Sequence, residues 1–383
     1  MERQKICIIG GGLTGLITAI TLSKLNLKID LMTGDLEKNT KSNRTVAISQ
    51  DNYNFIKKLK TFNLSKENFW PCSKIKIYSE EEKNLNEILK LEDNEKNKKK
   101  VFYMIENSKM ILEMIKSIKK NKLISLKTQK ISGIDSLGLL KIVKYNNKIS
   151  SKYNLIIVCT GSNSDLVKTF FKDRSVKHAY KEISVTTTLK HDPNKNNVAR
   201  QIFLNGEIFA LLPMSNTKTA VVWSIKKNII NKYNGKKNLL LKNKIKFYAN
   251  KFLKNVNFSS NIEKKNLNLL IREKYYQDRI LLFGDALHVV HPLVGQGFNM
   301  ILRDLINLEK ILKNKINLGL DIGSLDILSE FSNEIKPRNF VYSLGIDFIR
   351  NFFHIENKSF KNLRNKAIKK LNQNSFTKDI FYN

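Results

Sequence analysis

Residues Lys5-Ile-Cys-Ile-Ile-Gly-Gly-Gly-Leu-Thr-Gly-Leu-Ile-Thr-Ala-Ile-Thr-Leu22 decide the fold. The apolar run Lys5–Ile9 predicts a short buried strand, Leu13–Leu25 a helix, and Lys28–Met32 a second strand, which together make the opening βαβ unit of a nucleotide-binding fold. Gly10, Gly12 and Gly15 complete a Gly-x-Gly-x-x-Gly pattern directly between strand and helix. The first glycine permits the tight turn, the second lets backbone approach a pyrophosphate, and the third lets helix and strand pack closely. Leu13 and Thr14 fall where the helix N-terminus offers free N–H groups and a positive dipole end to phosphate. At this point NAD and FAD fit equally well. The acid that would bond the ribose should end the second strand, but Thr33 stands there, and Asp35 lies two residues beyond.

The rest of the composition narrows the class. A chain of 383 residues, 42% hydrophobic and 27% charged, has ample material for one large or two intimately packed domains. No run of 18 apolar residues occurs, and Met1–Lys5 leads straight into a strand, so a cytoplasmic protein is expected. The three cysteines, Cys7, Cys72 and Cys159, are far apart and form no Cys-x-x-Cys pair, which argues for buried free thiols and against zinc or disulfides. The net charge of +34 invites a nucleic-acid reading. However, the lysines are dispersed along the chain, apart from local runs such as Lys98–Lys100 and Lys119–Lys122. With no recognisable binding motif among them, no specific nucleic-acid partner is expected, and weak attraction to anionic lipid is the residual consequence.

Further along, Asp51–Leu59 and Ser108–Asn121 have helical spacing, Ser108 being a candidate N-cap. Glu80–Lys100 is polar and reads as a solvated loop or weak hairpin with little core potential. Leu123–Tyr153 suggests a strand meander that ends in the strand Leu155–Cys159. Strands are expected at Ile183–Leu189, Ile208–Leu212 and Thr219–Ser224, a helix at Lys237–Leu253, and a returning buried strand at Ile280–Phe283 before a long helix through Leu312. The order implies an α/β protein in which 1–75, 100–180 and 270–330 form a discontinuous Rossmann-like domain. Residues 76–99 and 181–269 form an interleaved β-rich substrate domain, and 331–383 a C-terminal helical region.

A second constellation spans Gly284-Asp-Ala-Leu-His-Val-Val-His-Pro-Leu-Val-Gly-Gln-Gly-Phe-Asn299 and runs on to Arg303–Asp304. A strand delivers Gly284 and Asp285 to the carboxyl end of the sheet, where ligands of open α/β folds bind. Gly295, Gln296 and Gly297 then open a helix whose backbone donors can face an electron-rich ring edge or a developing anion. His288 and His291 lack further ligands for a metal nearby and read as hydrogen-bonders within the turn.

The segment His291-Pro-Leu-Val-Gly-Gln-Gly-Phe-Asn299, continuing to Asp304, resembles the signature of the ubiquinone-biosynthesis hydroxylases. These are a branch of the class A flavoprotein monooxygenases related to p-hydroxybenzoate hydroxylase. Arg44-Thr-Val-Ala-Ile-Ser49, Ile105-Glu-Asn107, Ala210-Leu-Leu-Pro213 with Val222-Trp223, and Lys336-Pro-Arg-Asn339 match in order, so the resemblance runs from Ile6 to about Phe353. It implies a p-hydroxybenzoate hydroxylase-like fold in which Gly10, Gly12, Leu13, Thr14 and Gly15 hold the FAD pyrophosphate. Arg44 would lie beside the ribityl–pyrophosphate region, and Gly284 and Asp285 would meet the ribityl chain. Pro292, Gly295, Gln296, Gly297, Phe298 and Asn299 would line the isoalloxazine. No residue is implied as acid, base or nucleophile.

The implied reaction is aromatic-ring hydroxylation of a prenylated phenol in ubiquinone biosynthesis. NAD(P)H, a transient visitor, reduces the FAD, and O₂ adding to the reduced ring gives a C4a-hydroperoxide that transfers oxygen. Peripheral contact with the inner face of a membrane or with a quinone-biosynthesis complex goes with such a substrate. Ile301 stands where the pattern usually has glycine, and three polar positions also depart from it. Thr160 stands in Cys159-Thr-Gly-Ser-Asn-Ser164 where an aspartate is usual, Ser108 stands where an arginine is common, and Thr33 replaces the ribose acid. These losses raise a rival reading, a degenerate flavin-fold scaffold within a quinone-biosynthesis complex. They also predict weaker FAD retention, each costing about 1–3 kcal/mol if uncompensated. The aromatic run Phe340, Tyr342, Phe348, Phe352 and Phe353 is expected to pack a helix; exposure of several would point to docking instead.

Overall fold

The computed structural model describes residues 3–368 apart from 37–39, 41, 63–64, 66, 82–83, 93–99, 130, 146–147, 150, 163, 172–174, 234–237, 356, 358–359, 361–362 and 366–367. Among the described residues the strands form four sheets. The first is the nucleotide-binding layer. Strands β1 (Lys5–Ile9), β2 (Lys28–Met32), β8 (Ile124–Lys127), β12 (Leu155–Val158) and β20 (Ile280–Leu282) run parallel in the order β20-β12-β1-β2-β8, and the short β19 (Tyr276–Gln277) lies antiparallel on β20. Such strands are buried on both faces, which is why they read as continuous apolar runs. Helix α1 (Leu13–Ser23) is buried along nearly its whole length beside them. Strand β20 arrives from far along the chain to pair with β12, so the two candidate ligand motifs leave the same sheet at the same edge.

The second and largest sheet has the path β21-β18-β13-β16-β15-β14-β5-β6, with β17 (Asn257–Phe258) beside β13. Its members are β21 (His288–Val289), β18 (Glu263–Arg272), β13 (Ser175–Lys190), β16 (Lys218–Lys226), β15 (Ile208–Ser215), β14 (Val198–Phe203), β5 (Lys74–Glu81) and β6 (Asn84–Glu92). One face, carrying Val185, Leu211, Val221 and Trp223, packs on α6 (Leu239–Asn250) through Leu241 and Ile245. The opposite face looks toward the nucleotide-binding layer. A smaller sheet of β3 (Thr45–Ser49), β7 (Phe102–Glu106) and β4 (Trp70–Cys72) fills the gap between them. Of the meander predicted over Leu123–Tyr153, the first strand, β8, joins the parallel layer instead, and only β9 (Gly133–Leu137), β10 (Leu140–Tyr145) and β11 (Lys148–Ile149) form a separate antiparallel sheet.

The remaining helices are α2 (Gln50–Leu59), α3 (Asn107–Lys120), α4 (Asp165–Phe170), α5 (Lys227–Tyr233), α7 (Gly297–Asn317) and α8 (Leu325–His354). Three expectations change. Helix α3 starts at Asn107 after Glu106, with no side-chain cap, so Ser108 lies inside its first turn. The polar stretch after Tyr78 takes the hairpin alternative, β5 pairing with β6 across a register shift at Ile77/Tyr78, but it does contribute to the core, Ile88 and Leu91 being buried: alternation gives even a charge-rich strand one apolar face, which a mean polarity hides. Lys98 and Lys99 lie outside the described residues. Third, α4 and α5 were not foreseen. No helix is long and apolar enough to cross a membrane among the described residues.

Candidate active site

The glycine turn shows why each position needs its residue. Gly10 has φ +140°, and a Cβ there would sit 2.6 Å from the Cys159 carbonyl oxygen, while its N–H donates to Met32 O at 2.8 Å. A Cβ on Gly15 would overlap the Gly10 carbonyl oxygen. Gly12 differs: nothing lies within 4 Å of its would-be Cβ, so the space beside it is open. Gly12 is also the N-cap of α1, with no side-chain cap and no acid in the first turn. The first intrahelical bond is Leu16 N to Gly12 O at 3.1 Å, which leaves the amides of Leu13, Thr14 and Gly15 without helical acceptors. An uncapped N-terminus beside open space is an anion site. A pyrophosphate fits it.

The distant motif closes directly on this turn. Gly284 has φ +66°, and a Cβ on it would lie 2.5 Å from Thr14 Cγ2. Only glycine lets the end of β20 rest on the first turn of α1. Asp285 is exposed at this junction. Partial burial and the Arg44 guanidinium hold the Lys265 ammonium below its ordinary range, while Asp285 pulls it up, which puts Lys265 within electrostatic reach of both Arg44 and Asp285. Arg44 in turn accepts from Asn107 N at its carbonyl, 2.9 Å, joining two of the scattered motifs. Glu106, beside Asn107, pairs with Lys218 on β16 at 2.5 Å.

The turn after Pro292 forms a short 3₁₀ segment, Leu293–Gly295, before α7. Gly295 has φ +69° and a would-be Cβ 3.0 Å from Ala47 Cβ, so the turn lies on β3. Gln296 is the N-cap of α7 without a side-chain cap bond, and the first helical bond is Met300 N to Gln296 O at 3.2 Å. The amides of Gly297, Phe298 and Asn299 are therefore uncommitted within the helix. Phe298 packs at the margin of the main core. The Asn299 side chain is spent on architecture: Oδ1 accepts from Ser49 N and Asn52 Nδ2, both at 2.9 Å, and Nδ2 donates to Ala47 O at 2.9 Å.

The inner face of the large sheet packs against β3. The cross-strand row Thr186–Val222–Ala210–Gln201–Ile77 is fixed by strand register. All of it except buried Gln201 is half-buried, whereas the adjacent row Ser184–Ser224–Ile208–Phe203–Ser79 is buried throughout. Ile77, Ala210 and Val222 pack at the margin of the cluster that contains Ala47 and Met104, and Phe203 and Ile208 cluster with Leu293 and with Ile346 of α8. A partly open apolar strip thus runs between β3 and the Pro292 turn. Sequence reading missed this row, because alternation marks a buried face but not the position along it where packing opens.

The side chains of the two histidines do not bond within their own turn. His288 Nε2 donates to Asp304 Oδ2 at 3.1 Å, and Asn339 of α8 donates to the same oxygen at 2.7 Å. His291 Nε2 donates to Glu182 Oε2 of β13 at 3.2 Å, and Arg350 of α8 pairs with the other carboxylate oxygen. These are buried structural networks tying the turn to β13 and α8, and no metal cluster occurs among the described residues. Of the departing positions, Thr33 is buried and donates to Gly34 O at 3.1 Å. Thr160 Oγ1 is buried without a protein partner; Asn163 lies outside the described residues.

The family model described as squalene epoxidase matches residues 152–379. The chain belongs to this family. The ubiquinone biosynthesis monooxygenase COQ6, mitochondrial, of Dictyostelium discoideum is 24% identical over 98% of this chain and 89% of its own length. The ubiquinone hydroxylase UbiL of Rhodospirillum rubrum is 28% identical over 42% of this chain and 37% of its own length. Among solved structures, p-nitrophenol 4-monooxygenase PnpA of Pseudomonas putida superposes with a TM-score of 0.80 at 14% identity, covering 100% of this chain and 97% of its own. PqsL of Pseudomonas aeruginosa, a probable FAD-dependent monooxygenase, gives 0.79 at 12% identity, covering 96% and 100%. The p-hydroxybenzoate hydroxylase-like architecture expected from the sequence is the one found.

Proposed function

We propose that this squalene epoxidase family member is an FAD-dependent monooxygenase that hydroxylates the aromatic ring of a prenylated phenol in ubiquinone biosynthesis. NAD(P)H is its transient reductant and O₂ its oxidant. The observation that carries the reading is the contact of Gly284 with Thr14 together with that of Gly295 with Ala47, which brings two uncapped helix N-termini to one cleft. The α1 end, with Gly10, Gly12, Leu13, Thr14 and Gly15, suits the pyrophosphate. Asp285 with Arg44 suits the ribityl region, and the α7 end, from Pro292 to Asn299, suits a ring that becomes anionic on reduction. Bound FAD supplies the redox and oxygen-transfer chemistry. The protein's share is to orient the substrate ring, exclude water and stabilise charge at the α7 amides.

The strip Thr186–Val222–Ala210–Gln201–Ile77 is the proposed substrate wall: apolar enough for a prenylated ring, with two polar side chains to orient its oxygen. The relatives' names support this substrate class. The intact second motif favours an enzyme over a flavin-fold scaffold. Helix α8 supports peripheral contact with an anionic lipid surface. Its outer stripe of Val341, Leu344 and Phe348, beside Phe340, is exposed, with Phe348 at 68%, and exposed Lys336 and Arg338 flank it. The test is the visible absorbance of the purified full chain after FAD is added and free FAD removed, followed by oxygen-dependent NAD(P)H oxidation with a short-chain prenylphenol. Flavin bands and hydroxylated product are expected; no retained flavin would overturn the enzyme reading.

A further inference from the structure

Helix α8 reaches the active-site turn along one stripe. Asn339 bonds Asp304, Tyr342 bonds Gln296, Ile346 packs on Leu293, and Arg350 holds Glu182 and through it His291. The spacing of three to four residues puts all four on the same helix face. Tyr342 is the member that touches the turn at its proposed ring-binding residue. Its hydroxyl donates to Gln296 Oε1 at 2.5 Å. Burial pushes that hydroxyl's pKa up to about 12, with Arg303 partly opposing, so it remains a donor throughout the neutral range. Arg303 lies over the Tyr342 ring at 5.4 Å and also reaches Asn339 and Asp304, so the tyrosine itself is braced.

A primary amide is planar, and its two ends are not interchangeable. Holding the oxygen of Gln296 against Tyr342 directs the Nε2 donors away from the helix. We propose that Tyr342 is a positioning residue: it fixes the Gln296 amide so that its N–H₂ end, together with the first amides of α7, is presented to the bound flavin ring. Without the hydroxyl, Gln296 is free to rotate, and a donor is lost from the set facing the ring edge, where negative charge grows on reduction. The inference rests on the FAD reading given above.

The test uses the full chain with FAD as probe. Tyr342→Phe keeps the ring and its contact with Arg303 and removes only the donor. Dissociation constants for FAD, the visible spectrum of the bound flavin and its reduction potential are measured for the parent, Tyr342→Phe, Gln296→Ala and the double variant. Circular dichroism and thermal melting check that each folds. Expected are FAD binding about five- to tenfold weaker in Tyr342→Phe, the size of one hydrogen bond, a displaced flavin band, and a lowered potential. The double variant should be no worse than Gln296→Ala, because the tyrosine acts only through the glutamine. A Tyr342→Phe protein with unchanged affinity, spectrum and potential, or effects that simply add in the double variant, would overturn the assignment. A parent chain that binds no FAD would overturn the flavin reading as well, which separates the two failures.

Discussion

The side-chain oxygen of Asn299, on the first turn of α7, accepts a hydrogen bond of 2.9 Å from the backbone N–H of Ser49, 250 positions away at the end of β3. With its bonds to Asn52 and Ala47, this one amide staples the proposed ring-binding turn to the strand that begins beside Arg44. Asn299→Ala should leave a buried backbone donor and acceptor unpaired and cost about 2–4 kcal/mol. Thermal melting should show this as a fall of roughly 1–2 °C for each kcal/mol in a chain of this size. Asn299→Asp should recover part of the loss, since it keeps the acceptor.

The glycine turn separates folding from binding. Gly12→Ala meets nothing in the protein, so its melting temperature should stay within about 2 °C of the parent. Its methyl group enters the space assigned to pyrophosphate, and FAD affinity should fall at least tenfold. Gly15→Ala collides with the Gly10 carbonyl and should lower stability whether or not FAD is present. Equal loss of stability in both variants would contradict this division.

Asp30, buried in β2, bears on acid stability. Burial opposes its charge, but hydrogen bonds from Lys127, Tyr153 and Lys5 outweigh that and hold the carboxyl below the ordinary carboxylate range. A depressed folded-state pKa contributes stability that is fully present above the unfolded value of about 3.9 and is lost as pH falls through the folded value. Denaturant midpoints should therefore drop as the pH is lowered below about 4. In Asp30→Asn the acid-side slope should be shallower, with a lower midpoint at neutral pH.

Glu182 supplies both oxygens to cations or donors from other elements, and its side chain is only 2% exposed. Glu182→Gln leaves the Arg350 charge uncompensated in the interior and should cost about 3–5 kcal/mol. Pairing it with Arg350→Met should restore much of that, because the penalty belongs to the unpartnered charge. Urea titrations of the single and double variants measure the coupling.

For the outer stripe of α8, the double variant Val341→Ser, Phe348→Ser should sediment less with vesicles of phosphatidylcholine containing anionic phosphatidylglycerol, at unchanged thermal stability. Residual binding should weaken further as salt is raised. Equal sedimentation of parent and variant would remove the stripe from the docking surface.

Much of the nucleotide-binding layer was legible because its signals are local. A five-residue strand, glycines at fixed offsets and an apolar helix each obey short-range backbone geometry, and Gly10–Gly15 needs only its neighbours to become a turn. The same holds for Gly284 and Gly295, whose positive φ angles suit glycine, and for Gly297, where α7 begins. What depended on tertiary structure was which side chains meet. Ser108 looked like a cap by type, yet the helix had begun one residue earlier, because β7 delivers Glu106 directly into it. His288 and His291 looked like turn residues, but their partners Asp304, Glu182, Asn339 and Arg350 come from α7, β13 and α8. Phe340 and Phe348 were expected to pack and instead face outward, since the inner stripe of α8 is already occupied by Asn339, Tyr342, Ile346 and Arg350. By itself the sequence determined a strand–glycine–helix turn and a second glycine turn. Only the folded chain decided that the two meet, because β20 must cross from a distant stretch of chain to pair with β12 before Gly284 can rest on Thr14.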